Sequence, residues 1–227
     1  MHIEPGVVDG TKILLSYATA AGAGGLAVAM ARETIKSDGG FGALITRSVL
    51  ATACVFCFFE VLFKYPVGVS EVHLILGATL YLILGAGPTA IGLALGLLAQ
   101  GLIFAPLDLP QYFMNVTTLI VPLWAVSRLS RRIVPVGTAY VDLRYRQVLA
   151  LSGVYQGGII AWVAFWAFYG QGFGAENLAN IAAFGGAYLT VIVLEPLIEL
   201  AALAAVKRFG DLSIPPTLHT RRLRHAG

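Results

Sequence analysis

The metal chemistry open to this chain concentrates in its terminal amine and two histidines. Met1 offers an α-amine, and His2 offers a backbone amide and an imidazole. Those three nitrogens can close fused chelate rings around one ion, and a second imidazole, His73, would complete a set of four. With the amide deprotonated the set is close to planar. Tetragonal nitrogen ligation favours Ni(II) or Cu(II) and accommodates Co(II), whereas zinc prefers a tetrahedral site and magnesium and calcium prefer oxygen. Because these nitrogens must shed protons to bind, affinity is expected to fall with acid. The opening Met1-His2-Ile3-Glu4-Pro5-Gly6 has no basic stretch, so no cleaved signal peptide is expected. The bulky residue at position 2 is expected to protect Met1 from removal. Position alone favours a plainer alternative, in which His2 is a disordered terminal residue and His73 a span-end residue facing lipid headgroups.

The elements that must hold these residues are membrane helices. Of 227 residues 58% are hydrophobic and only 12% charged, with a mean hydropathy of +0.81, whereas soluble domains carry roughly 25% charge. A helical span needs roughly 20 apolar residues at about 1.5 Å of rise each. Seven stretches qualify as candidates: Ile13 to Ala31, Phe41 to Phe63, His73 to Gly85, Pro88 to Ala105, Tyr112 to Val126, Val148 to Tyr169 and Leu178 to Val206. The third and fourth are short and meet at Gly85-Ala86-Gly87-Pro88, the signal for a tight hairpin. The expected fold is therefore an all-α integral membrane bundle of about seven helices forming a single transmembrane domain over 1–227. Within it, 1–10 is read as an outer metal-binding segment and 207–227 as a basic cytoplasmic tail.

Charge decides the orientation, because Lys and Arg concentrate on cytoplasmic loops. With the N-terminus outside, seven spans place Arg32 and Lys36, the group from Arg128 to Arg146, and the tail from Lys207 to Arg224 on the inner side. Only Lys12 and Lys64 remain outside, with Arg47 about 9 Å into the second span and able to snorkel inward. Fusing the hairpin into one span would push the five-arginine loop across the membrane. In the seven-span arrangement His2 and His73 share the outer side, while His219 and His225 lie in the inner tail.

Taken together, Met1-His2-Ile3-x-x-Gly6, the run Gly68-Val69-Ser70-Glu71-Val72-His73-Leu74 with Gly77, Gln100 closing a Gly-rich fourth span, and Asn115 before the fifth resemble a known family. That family is the M-type substrate-binding membrane subunit of energy-coupling-factor cobalt and nickel transporters. The resemblance covers roughly residues 1 to 125, and the remainder only in hydropathy and length. It implies that the N-terminus plugs into the bundle from outside. Met1, His2 and His73 would ligate a transported Co(II) or Ni(II), with Ser70 and Asn115 supporting the ligands from behind. It also implies a transmembrane coupling subunit, cytosolic ATPases, with or without a small auxiliary membrane subunit, and a bacterial inner membrane. Two departures stand out: Pro5 precedes Gly6 where the family commonly has Asp, and Val72 precedes His73 where the family has Gly. Glu71-Val72 is expected to widen the approach to the site.

A ligating imidazole usually donates its other N–H to an acceptor, and the outer side also offers Glu60, Glu71, Asp108 and Gln111. Glu195 and Glu199 share one face of the last span and are expected to pair with Lys207 and Arg208. The small-residue pairs Ala18/Gly22, Ala21/Gly25 and Gly92/Gly96 suit close helix packing, and Cys54 and Cys57 are read as packing residues. No GxxxxGK[ST] phosphate loop occurs, so a transporter built on this chain needs separate ATPases. The chain is not expected to be an enzyme, to hold a cofactor or to bind nucleic acid. Two other functions compete. One is a subunit of the same fold with a changed ligand such as a vitamin, bound through Trp124, Trp162, Trp166 and Tyr169. The other is an intramembrane metal-dependent enzyme, which lacks the HExxH spacing it would need.

Overall fold

A computed structural model describes residues 3–208 and 215–224. Among them seven α-helices follow one another: α1 (Leu14–Ser37), α2 (Gly40–Glu60), α3 (Gly77–Leu84), α4 (Ala86–Ile103), α5 (Tyr112–Ile133), α6 (Tyr145–Gln171) and α7 (Ala175–Arg208). Between α2 and α3 lies an antiparallel hairpin of β1 (Lys64–Val67) and β2 (Ser70–His73), with Lys64 opposite His73 and Val67 opposite Ser70. Helices α1, α2, α4, α6 and α7 are each long and apolar enough to cross a membrane. The chain is an all-α integral membrane protein with one small sheet.

The bundle has two ends, which cross-links between helices define. At one end the α1/α2 turn, the end of α5, the start of α6 and the end of α7 gather the basic residues. There Arg131 reaches Glu33 at 2.6 Å, and Lys207 pairs with Asp142. At the other end Lys12 donates to the Gly170 carbonyl at 2.7 Å, tying the approach to α1 to the end of α6. The hairpin carrying His73 sits at this second, histidine end, because Gly68 packs against Asn180 near the start of α7.

The third span departs from the expected helix of His73 to Gly85. His73 belongs to β2, Leu76 has a positive φ of 53°, and only eight residues, Gly77 to Leu84, are helical. About 12 Å of helix plus up to about 10 Å of non-helical chain still carries it across the bundle. Its far end, Gly85, lies near Asp38 and Thr220, and Thr220 N–H donates to the Ile83 carbonyl at 2.8 Å. Non-helical backbone is tolerated at membrane depth only where protein surrounds it, and Ile75, Ala78 and Leu82 are wholly buried. Chain direction reverses at Gly85, so the seven-pass reading survives with one broken pass.

Packing separates the small-residue pairs. A Cβ on Gly92 would sit 2.3 Å from the Ala51 Cβ, and one on Gly96 2.7 Å from Val55, so these glycines let α2 and α4 touch. Gly22 and Gly25 have nothing within 4 Å of a notional Cβ, and their face of α1 is open. Internal packing therefore explains the α4 pair and not the α1 pairs.

Two charge expectations need correction. Lys207 pairs with Asp142, while Glu195 accepts hydrogen bonds from Ser152 and Gln156 on α6. The carboxylates face the bundle interior, whereas the lysine at the helix end swings out toward the turn before α6. Arg47 does reach the arginine end, but as a wholly buried side chain whose Nη1 meets Asp38 at 2.8 Å and whose Nε donates to the Thr217 carbonyl at 3.1 Å. The tail segment it meets is folded back: Thr220 Oγ1 and Arg221 N–H both donate to the Asp38 carboxylate at 2.8 Å, and Leu223 is buried.

Candidate metal centre

The N-terminal segment enters the protein. Ile3 is wholly buried, its backbone N–H donates to Asn115 Oδ1 at 3.0 Å, and it forms an isolated antiparallel bridge with Ser70. The next residue continues the pairing, with Glu4 N–H donating to the Val69 carbonyl at 3.2 Å. Val7 and Val8 are buried further along, against Gly170 of α6, where a side chain on the glycine would overlap the Val7 carbonyl. Polar backbone taken into an apolar bundle must find partners, and here the free edge of β2 and the Asn115 amide supply them. Asn115 can do so because it lies on the first turn of α5, just past the Pro106–Gln111 turn at the histidine end.

His73 closes β2 and is 1% exposed, with its ring packed against Phe59 at a centroid distance of 5.0 Å. Burial along β2 follows its packing rather than simple alternation: Ser70 and His73 at its two ends are buried, and Glu71 and Val72 between them are half-buried. The Glu71 carboxylate nevertheless approaches His73 Nε2 at 3.5 Å. That is too long for a good hydrogen bond, but it sets negative charge beside the imidazole.

The hairpin is positioned by Gly68. Its φ of +61° suits the turn between β1 and β2, and a Cβ there would lie 2.1 Å from the Asn180 carbonyl oxygen of α7. This contact holds β2 down on the bundle, so His73 is carried on a strap pinned by α7 on one side and by Ile3 on the other.

Acidic groups crowd this end. The Glu4 carboxyl is raised above its ordinary value, first by burial and then by the neighbouring Glu71 and Asp108 carboxylates. A cation entering here meets a negative field and a buried imidazole. Glu60, also considered as a ligand support, instead lies 3.8 Å from Lys64. Gln100 and Gln111 are buried, and Gln100 and Asp108 share a small recess with Asn115.

Among the described residues no group of three or more His, Cys, Asp or Glu converges as a metal site. Met1 and His2 lie outside those residues. The structure therefore brings together His73, Ser70, Asn115 and the residue that follows His2. His219 is buried at the arginine end, its Nδ1 2.9 Å from the Thr220 carbonyl, far from this group. Of the aromatic residues considered for another ligand, Trp162, Trp166 and Tyr169 contact Phe165 and one another along α6, mostly edge-on, while Trp124 lies under Arg128. Sequence reading missed Glu4 and Phe59; an acid two residues past a candidate ligand was the available signal for the first, and none marked the second.

The profile of the cobalt uptake substrate-specific transmembrane region, CbiM, matches residues 2–211. The chain belongs to this family. It is a substrate-specific membrane subunit for metal uptake rather than an enzyme, and a component of a transporter that has partner subunits. The fold agrees with two solved structures, each 19% identical in sequence. A crystal structure of a truncated transition metal transporter superposes with a TM-score of 0.70, covering 92% of this chain and 99% of the other. A crystal structure of a transition metal transporter superposes at 0.67, covering 94% and 95%. No curated protein matches in sequence.

Proposed function

We propose that this chain captures Co(II) or Ni(II) from outside the cell through the Met1 amine, the His2 amide and imidazole, and the His73 imidazole. The observation that carries this reading is the anchoring of Ile3, whose N–H is held by Asn115 and whose backbone bridges Ser70 on the strand that ends in His73. His2 is the covalent neighbour of Ile3, and the geometry that recruits one supports recruitment of the other. Ser70 and Asn115 act as supports: they fix the strand and the terminus in register so that the nitrogens meet one ion without reorganisation.

The acidic rim of Glu4, Glu71 and Asp108 raises the local cation concentration, while the buried Phe59–His73 contact restrains the ring. Basic residues gathered at the opposite end favour that end as cytoplasmic, which leaves the histidine end facing outward in a bacterial inner membrane. Energy for movement comes from a transmembrane coupling subunit and cytosolic ATPases, since the chain has no phosphate loop of its own.

The test is a Co(II) and Ni(II) titration of the purified protein beside His2→Ala, His73→Ala and a form extended by one residue ahead of Met1. Loss of a ligand should weaken binding by about a hundredfold or more, beyond the roughly 10–100-fold cost of losing a mere support. All three variants should lose stoichiometric binding. Binding unchanged in them, or absent in the parent, would overturn the chelate.

A further inference from the structure

The interface of α6 and α7 holds a second concentration of chemistry, away from His73. Glu195 and Glu199 lie one turn apart on α7 and both are wholly buried. One oxygen of Glu195, Oε2, accepts from Ser152 Oγ at 2.7 Å and from Gln156 Nε2. Glu195 Oε1, both Glu199 oxygens, Gln156 Oε1 and Tyr155 Oη are buried without a hydrogen-bond partner among the described residues. Every one of these atoms is an oxygen. Lys207, eight residues beyond Glu199 on α7, is engaged elsewhere, with Asp142.

Buried carboxylates with neither a cation nor a full set of donors are costly, and in a membrane bundle interior ionisable groups mark the path of an ion. The donor set is also selective. Carboxylate, amide and phenol oxygens suit hard or borderline divalent ions in an octahedral setting rather than the square nitrogen geometry proposed at the terminus. Placement connects the two. Tyr188 lies against the His73 backbone, and both Tyr188 and Tyr155 are within electrostatic reach of Glu195. The Tyr155 ring occupies the space that a side chain at Gly77, where the helical half of the third pass begins, would take. Oxygen atoms thus line a file from the histidine end to the carboxylate pair.

We propose that Glu195 and Glu199, with Gln156 and Tyr155, form a second, weaker, oxygen-liganded site for a divalent cation, on the arginine-end side of His73, where imported metal rests on its way through the bundle. The proposal rests on the chain's role in metal uptake but not on the terminal chelate.

Mn(II) is the probe, followed by loss of its free-ion paramagnetic signal with the purified full chain. His73→Ala should retain one weak equivalent, and adding Glu199→Gln should weaken it by at least about tenfold. Gln156→Met, which keeps the volume and removes the amide oxygen, should weaken it likewise if the carboxylate variant does not fold. Glu199→Gln alone should leave tight Co(II) binding at the terminus unchanged, which also reports an intact fold. Superimposable Mn(II) titrations with and without Glu199→Gln, or no Mn(II) binding in His73→Ala, would overturn the site and leave a pair of neutral buried acids. Failure of the chelate reading looks different: His73→Ala would then match the parent for Co(II), while Glu199→Gln still weakened Mn(II).

Discussion

At the arginine end, Asp38 accepts from Arg47, Thr220 and Arg221, and the tail that supplies two of those donors is itself pinned by Thr220 to Ile83. At the histidine end, His73 faces Glu71 across 3.5 Å, and Glu4 and Asp108 add negative charge, while Lys64 lies beside Glu60 and Lys12 donates to the Gly170 carbonyl. Both regions take polar groups into an apolar bundle. The first is a closed network in which each carboxylate oxygen is matched by donors, so it contributes to the fold. The second gathers carboxylates beside a buried imidazole, where the proposed ion would bind. Charge balance, rather than burial, separates the two clusters.

The largest effect should come from breaking the closed network. Arg47→Ala leaves Asp38 short of its buried partner, and removing one member of such a pair costs about 3–5 kcal/mol. Denaturant unfolding in detergent should show that loss while metal stoichiometry stays at the parental value. A variant as stable as the parent would mean that the tail alone closes this end.

Next in size is Asn115→Ala. It removes the acceptor for Ile3 N–H without touching a proposed ligand, and the terminus should lose register. Metal affinity should drop by about 10–100-fold, the range for supports behind a ligand, with unfolding little changed. Parental affinity would show that the Ile3–Ser70 bridge suffices to place the terminus.

The smallest effect concerns the acidic rim. Burial and the Glu71 and Asp108 carboxylates raise the Glu4 pKa above its ordinary 4.5, so the folded chain holds that proton more tightly than the unfolded chain does. Stability therefore falls as pH rises from 4.5 through the folded value. Glu4→Gln should be slightly more stable than the parent at pH 7.5, measured without metal, and equal to it at pH 4. A gap of the same size at both values would show that charge crowding is not its source.

The arginine end shows how legible the chain is. Its basic residues recur at every second loop, and that asymmetry is readable from sequence because charged groups cannot stay in hydrocarbon wherever the fold puts them. The closure of the tail onto Asp38 was not readable, since Thr220 and Asp38 are separated by 182 positions and neither is distinctive in type. The same division holds at the other end. His73, Ser70 and Asn115 stand out as polar residues at span mouths, yet Gly68 against Asn180 and Phe59 against His73 are contacts between elements that no local pattern encodes.

By itself the sequence determined seven passes, their direction relative to one another and the polar residues at each mouth. Those follow from transfer of apolar and charged side chains between water and lipid, a property of each segment taken alone. Only the tertiary structure decided that the third pass is half strand and half short helix, that Ile3 docks beside Ser70, and that Glu195 and Glu199 turn inward rather than toward Lys207. These depend on which backbone groups and side chains find partners across the bundle, and a hydrogen bond between distant segments is encoded in neither segment separately.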